Sequence, residues 1–190
     1  MFDILHQGWY TSQAMKIQRT VKLKLHPHDE QADLLQRTME TFCNALNHIS
    51  RVAHQMGNCR NYLTLHQVVY YDVRQRFGLM SQQTISAERQ VAAAYKAMRS
   101  QGNKDGVAVF NFRGGLLLQG GRDFRLSAEK GVVGITTLAG RKPIPFTCGD
   151  FQRQYFDWAP TSATLVKRKG VFWLHVVFSR EVDEPLVEEA

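Results

Sequence analysis

Cysteine is scarce, at three in 190 residues. Cys43, Cys59 and Cys148 are odd in number and far apart, which excludes a secreted disulfide framework and fits reduced thiols. No run reaches the ~18 apolar residues of a membrane span, and the N-terminus lacks the basic region and apolar core of a signal peptide. A cytoplasmic protein is expected. No cysteine or histidine pair has zinc-finger spacing, so Cys43, Cys59, His48, His54 and His66 read as core cysteines and surface histidines rather than ligands. The Gly114-Gly115 and Gly120-Gly121 pairs precede neither a helix nor a Gly-Lys-Ser/Thr, so they are turns and not phosphate loops. Two-metal phosphodiester cleavage needs carboxylates converging on ions about 3.5–4 Å apart, whereas Asp72, Asp105, Asp123, Asp150 and Asp157 are dispersed. No catalytic residue, metal or other cofactor is expected of this chain on its own.

Acidic residues are also in short supply, at 17 against 24 Lys and Arg, a formal charge of +7. Five of the acids (Glu181, Asp183, Glu184, Glu188, Glu189) follow Arg180, so the body of the chain carries 12 acids against the same 24 bases, near +12. Such a field suits polyanions, with nucleic acid the first candidate and a merely basic protein the alternative. What the chain has in quantity is apolar side chain, 44% of residues, enough for a core.

Residues 1–14 show no periodicity and read as an extension. From 16 to 26, Ile17, Val21, Leu23 and Leu25 share one parity, while Lys16, Gln18, Thr20, Lys22, Lys24 and His26 share the other, predicting a strand with an apolar inner face and a basic outer one. After Pro27 the period changes: Leu35, Met39, Phe42, Leu46, Ile49 and Ala53 recur every three or four residues, one stripe of an amphipathic helix over 29–55. A second helix is predicted from Thr64, its N-cap, to Gly78, and a third over 81–101 with Ile85, Val91, Tyr95 and Met98 inward. Strands are predicted over 107–113, 116–119, 122–126, 132–138 and 143–147, and a short helix over 150–157.

Residues 161–180 then read as a hairpin. Its tip is Lys167-Arg168-Lys169-Gly170, and its second arm is apolar on both parities. One strand, three helices and then a run of strands predicts an α+β fold, a β-barrel with an inserted helical bundle, because the first strand has no sheet of its own.

This order resembles the N-terminal half of the TnpB proteins of bacterial insertion sequences (OrfB-type, transposase-associated), relatives of the type V CRISPR effector nucleases. The resemblance rests on Met15-Lys-Ile-Gln-Arg-Thr-Val-Lys-Leu-Lys-Leu25, Asn44 in the helix after Glu30-Gln31, and Ala94-Tyr95-Lys96. It continues through Thr136-Thr137-Leu138-Ala139-Gly140-Arg141, Pro145-Phe146 and the stretch from Ala163 to Leu174. It implies a wedge barrel (15–26 and 105–183), a recognition domain inserted at 27–104, and guide RNA and target DNA next to a short motif as partners. In the family a RuvC-like nuclease half follows. Here an acidic tail, 184–190, stands where that half would begin, so a module without its own nuclease is expected. The alternatives are one half of a split RNA-guided endonuclease, with Mg²⁺ and catalysis supplied by a RuvC-bearing chain, and a basic protein-interaction module.

The candidate contacts fall in two sets. On the third helix, Gln82, Gln83, Thr84, Ser86 and Arg89 offer amides, hydroxyls and a guanidinium near a helix N-terminus, with Tyr95, Lys96 and Arg99 further along. In the barrel, Lys22, Lys24, Arg113, Arg122, Arg125, Lys167, Arg168 and Lys169 are the electrostatic candidates. Tyr70, Tyr71 and Phe112 are possible base-stacking aromatics.

Overall fold

The computed structural model describes residues 14–103 and 105–183. The expected acidic tail, and all of the expected extension except Ala14, lie outside them. Strand β1 (Ala14–Leu25) is followed by α1 (Asp29–Gln55), α2 (Tyr62–Phe77) and α3 (Ser81–Ser100). A 3-10 turn (Phe112–Gly114) leads to β2 (Leu116–Gln119), β3 (Phe124–Ser127), β4 (Val132–Thr137) and β5 (Gly140–Thr147). The short helix α4 (Asp150–Arg153) precedes β6 (Ala159–Arg168) and β7 (Val171–Asp183).

The strands form one seven-stranded antiparallel sheet in the order β2-β6-β7-β1-β5-β4-β3. Its edge strands approach where Gly120 bridges Phe124, so the sheet curls into a nearly closed barrel. β1 lies between β7 and β5, strands that follow it by more than 100 residues. The expected barrel with its helices between the first strand and the rest is therefore what forms. Alternation decides the inside: Val21, Leu23 and Leu25 of β1 and Phe172, Leu174, Val176 and Phe178 of β7 are buried. Each such side chain contributes about 1.5–3 kcal/mol by leaving water. Phe156, after α4, packs at the barrel end with its ring 6.1 Å from Phe146 and 5.9 Å from Phe178.

The β6–β7 turn is tighter than the four-residue tip expected. Arg168 pairs with Val171, and Lys169 (φ 49°) and Gly170 (φ 80°) alone make the loop. Two positive φ angles give the type I′ geometry, whose twist matches that of the flanking strands.

Helix α1 buries all six stripe residues. The same hydrophobic cluster runs on from the helices into the barrel. Hydrogen bonds fix the seam. At the third position of both α1 and α3 a glutamine turns back to cap its own helix and reaches forward to a strand. Gln31 accepts from His28 N at 3.2 Å and donates to Pro143 O at 2.9 Å. Gln83 accepts from Met80 N at 3.2 Å and donates to Thr136 O at 3.0 Å.

Two predicted elements are corrected. Helix α2 begins earlier than Thr64, because Asn61 Oδ1 accepts from Leu63 N at 3.0 Å and caps it there; Gly78 closes it in the left-handed conformation, as expected. The predicted strand over 107–113 has no strand partner among the described residues. Its backbone is taken up by side chains of α1: Ser50 Oγ donates to Ala108 O at 2.6 Å, and Asn47 makes two bonds to Phe110.

Candidate nucleic-acid interface

The outer parity of β1, β7 and β6 forms one continuous surface in register. Lys24 lies across from Trp173, which lies across from Val166; Lys22 from His175 and His175 from Thr164; Thr20 from Val177 and Val177 from Ser162. Cross-strand neighbours of this kind sit ~5 Å apart at Cβ. Lys22, Lys24 and Thr20 are exposed, and Trp173, His175 and Val177 are half-buried. Arg168 ends the β6 row and donates to Arg113 O at 3.0 Å, which ties the hairpin end to the 3-10 turn. Among the described side chains of β1, β2, β6 and β7 the only carboxylate is Glu181, placed opposite Lys16 at the far end.

The electrostatics of His175 report this clustering. Burial pushes its pKa down, and the charges of Lys22 and Arg168 push it further the same way. A neutral imidazole that is partly desolvated and near two cations resists taking up a proton. Lys167 reaches over the Phe172 ring, 4.9 Å from its centroid, and Lys169 is exposed at the turn.

A second basic group gathers at the barrel seam. Arg122 donates to Gln82 Oε1 at 3.1 Å, Arg125 donates to Gly121 O at 3.4 Å, and Arg141 donates to the Arg122 carbonyl. Beneath them Asp123 is buried and accepts from Gln119 N at 2.9 Å. Burial raises its pKa while that bond, Arg141 and Arg122 oppose the rise, so this acid belongs to the turn that closes the barrel.

On α3 the sequence candidates divide. Arg89, Lys96 and Arg99 are exposed, with Arg89 held over the Tyr62 ring at 4.8 Å. Gln83, Thr84, Ser86 and Tyr95 are buried, which corrects the expectation that they reach a ligand, while Tyr95 does face inward as the stripe of its helix predicted. Gln83 is spent on Thr136, Thr84 Oγ1 donates to Met80 O at 3.2 Å, and Tyr95 donates to Ser50 O at 2.9 Å. Ser86 lies against the core on the same face. Ile85, expected inward, is only half-buried. Of the aromatics, Tyr71 is exposed, Tyr70 is half-buried with its ring 4.5 Å from that of His66, and Phe112 packs against the core.

The structure thus brings Lys22, Lys24, Arg168 and Arg113 to one barrel surface with the hairpin tip, and Gln82, Arg122 and Arg125 to the seam. Sequence reasoning missed Trp173 and His175, whose strand read as apolar on both sides. The available signal was the polar partner of each across the ladder, Lys24 and Lys22.

All three cysteines are free and half-buried. Among the described residues no group of three or more His, Cys, Asp or Glu could hold a metal ion, and no helix is long and apolar enough to cross a membrane. No protein-family model and no curated protein matches the chain.

Proposed function

We propose that this chain is a nucleic-acid-binding module, the wedge and recognition portion of a TnpB-like RNA-guided DNA-targeting protein. In this reading it grips guide RNA and the target DNA beside a short motif, and these residues perform no cleavage. The observation that carries the proposal is the barrel surface on which Lys22 lies across from His175, Lys24 lies across from Trp173 and Arg168 ends the neighbouring row, with no carboxylate between them among the described residues. A cationic sheet surface of this kind neutralises phosphates irrespective of sequence. The placement of the three helices between β1 and the other strands agrees with the architecture that the resemblance implies.

RNA binding measured by gel shift over a salt series tests this. Affinity is expected to fall steeply as salt rises. Lys167→Glu combined with Lys169→Glu is expected to weaken binding and to flatten the salt slope by roughly one to two units, with the circular dichroism spectrum unchanged. Absence of RNA binding, together with salt-insensitive association with a protein partner, would replace this reading with that of a protein-interaction module.

A further inference from the structure

Resting on the RNA-binding reading, we infer that the outer surface of β6, β7 and β1 is a stacking platform for single-stranded RNA, with Trp173 as its principal base-stacking residue and Lys22 and Lys24 as its phosphate contacts.

The first argument is placement. Trp173 is on the solvent side of a barrel whose interior is already filled by Phe172, Leu174, Val176 and Phe178, and it is not among the residues packed on the hydrophobic cluster. It stands between Val166, which is buried, and Lys24, which is exposed. A half-buried aromatic ring on the outer face of an antiparallel barrel, with a lysine directly across from it, offers a π-face and a cation to the same nucleotide.

The second argument is spacing. Trp173 and His175 are two residues apart on one strand, which puts them ~7 Å from each other. That is twice the ~3.4 Å rise between stacked nucleotides of a helical strand. A strand must be unstacked to lay one base on each ring, and a paired duplex has no free base to offer. Lys24 and Lys22 repeat at the same interval on β1, directly across from the two rings. Rings and cations therefore form two parallel rows of matching period, one for bases and one for the backbone. The hydroxyls of Thr164 and Thr20 border these rows, on the surface shared with His175 and Val177. They provide hydrogen-bonding partners for a ribose 2′-hydroxyl.

The test uses the full chain with an unstructured RNA oligonucleotide and a duplex RNA of equal length, at one fixed salt concentration. Trp173→Ala is expected to lower affinity for the single strand about tenfold and to leave the salt slope and duplex affinity unchanged, with Trp173→Phe retaining most of the binding. In a Trp9→Phe, Trp158→Phe background, where Trp173 is the sole indole, its fluorescence is expected to be quenched by the single strand and not by the duplex. Equal losses for both RNAs, an unaffected Trp173→Ala protein, or an unquenched indole would overturn the platform while leaving RNA binding intact. A wild-type protein that binds neither RNA would overturn the RNA-binding reading itself, and this inference with it.

Discussion

Asn47 grips the backbone of Phe110 with both ends of its amide: Nδ2 donates to Phe110 O at 2.8 Å, and Phe110 N donates to Oδ1 at 2.9 Å. A helix side chain thereby takes the place of a neighbouring strand for a segment that would otherwise carry unpaired polar groups. One turn along α1, Ser50 does the same for Ala108 O, and Tyr95 of α3 completes the chain by donating to Ser50 O. The passage from the helices back to the barrel is fixed by polar side chains.

Asn47→Ala is therefore expected to destabilise the protein by about 2 kcal/mol, the cost of leaving a partly buried donor and acceptor unmade. Thermal unfolding should show a midpoint lower by about 4–8 °C. Asn47→Asp is expected to be no better, because a carboxylate can accept from Phe110 N but only repels Phe110 O. An unchanged midpoint for both variants would show that the 107–111 segment is held by something else.

The buried acid of α3 gives a pH dependence. Glu88 is fully buried, its Oε2 is 2.8 Å from His66 Nδ1, and its other oxygen has no hydrogen-bond partner among the described residues. Burial pushes its pKa up, opposed by His66 and Arg89. A carboxyl raised in the folded state holds its proton more tightly there. Its contribution is favourable below the unfolded carboxylate range and is lost as pH rises through the folded value. Glu88→Gln, which cannot ionise, is expected to match the wild type near pH ~4 and to exceed it in stability at pH ~7. Denaturant melts at the two pH values decide the matter, and a wild type that is the more stable at neutrality would reverse the sign.

The hairpin tip separates folding from binding. Lys169 takes a positive φ at the first loop position, where asparagine is favoured. Lys169→Asn is expected to stabilise the protein by roughly half a kcal/mol by relieving part of the left-handed cost of lysine. The same change removes a cation, so the salt slope of RNA binding should become shallower by about 0.7–0.9. Parallel unfolding and gel-shift titrations read the two effects, and a gain or loss in both together would deny the tip a role in binding.

Much of the fold was legible because its signals are local. The 3.6-residue stripe from Leu35 to Ala53, the alternation from Ile17 to Leu25 and the left-handed residue at Gly78 depend only on neighbours in the chain, and each appears where its pattern placed it. Less of the site was legible. Gln83 looks like a ligand-facing residue until the backbone carbonyl it satisfies, Thr136 O, is known, and Tyr95, although on the inward stripe, also counts as a contact until its bond to Ser50 O is known. Residues 107–113 carry strand propensity, but propensity does not name a partner, and the partner proved to be a helix.

By itself the sequence determined that β1 has an apolar and a basic side, that α1 is amphipathic, and that β6 and β7 meet at a short basic turn. These follow from side-chain periodicity and from glycine's freedom at positive φ. Only the tertiary structure decided which side of β7 is the outside. Both parities of that strand are apolar, so the choice falls to its neighbours. Pairing with β1 sets Trp173 and His175 opposite Lys24 and Lys22, because a slip of one residue would turn every side chain of β7 over.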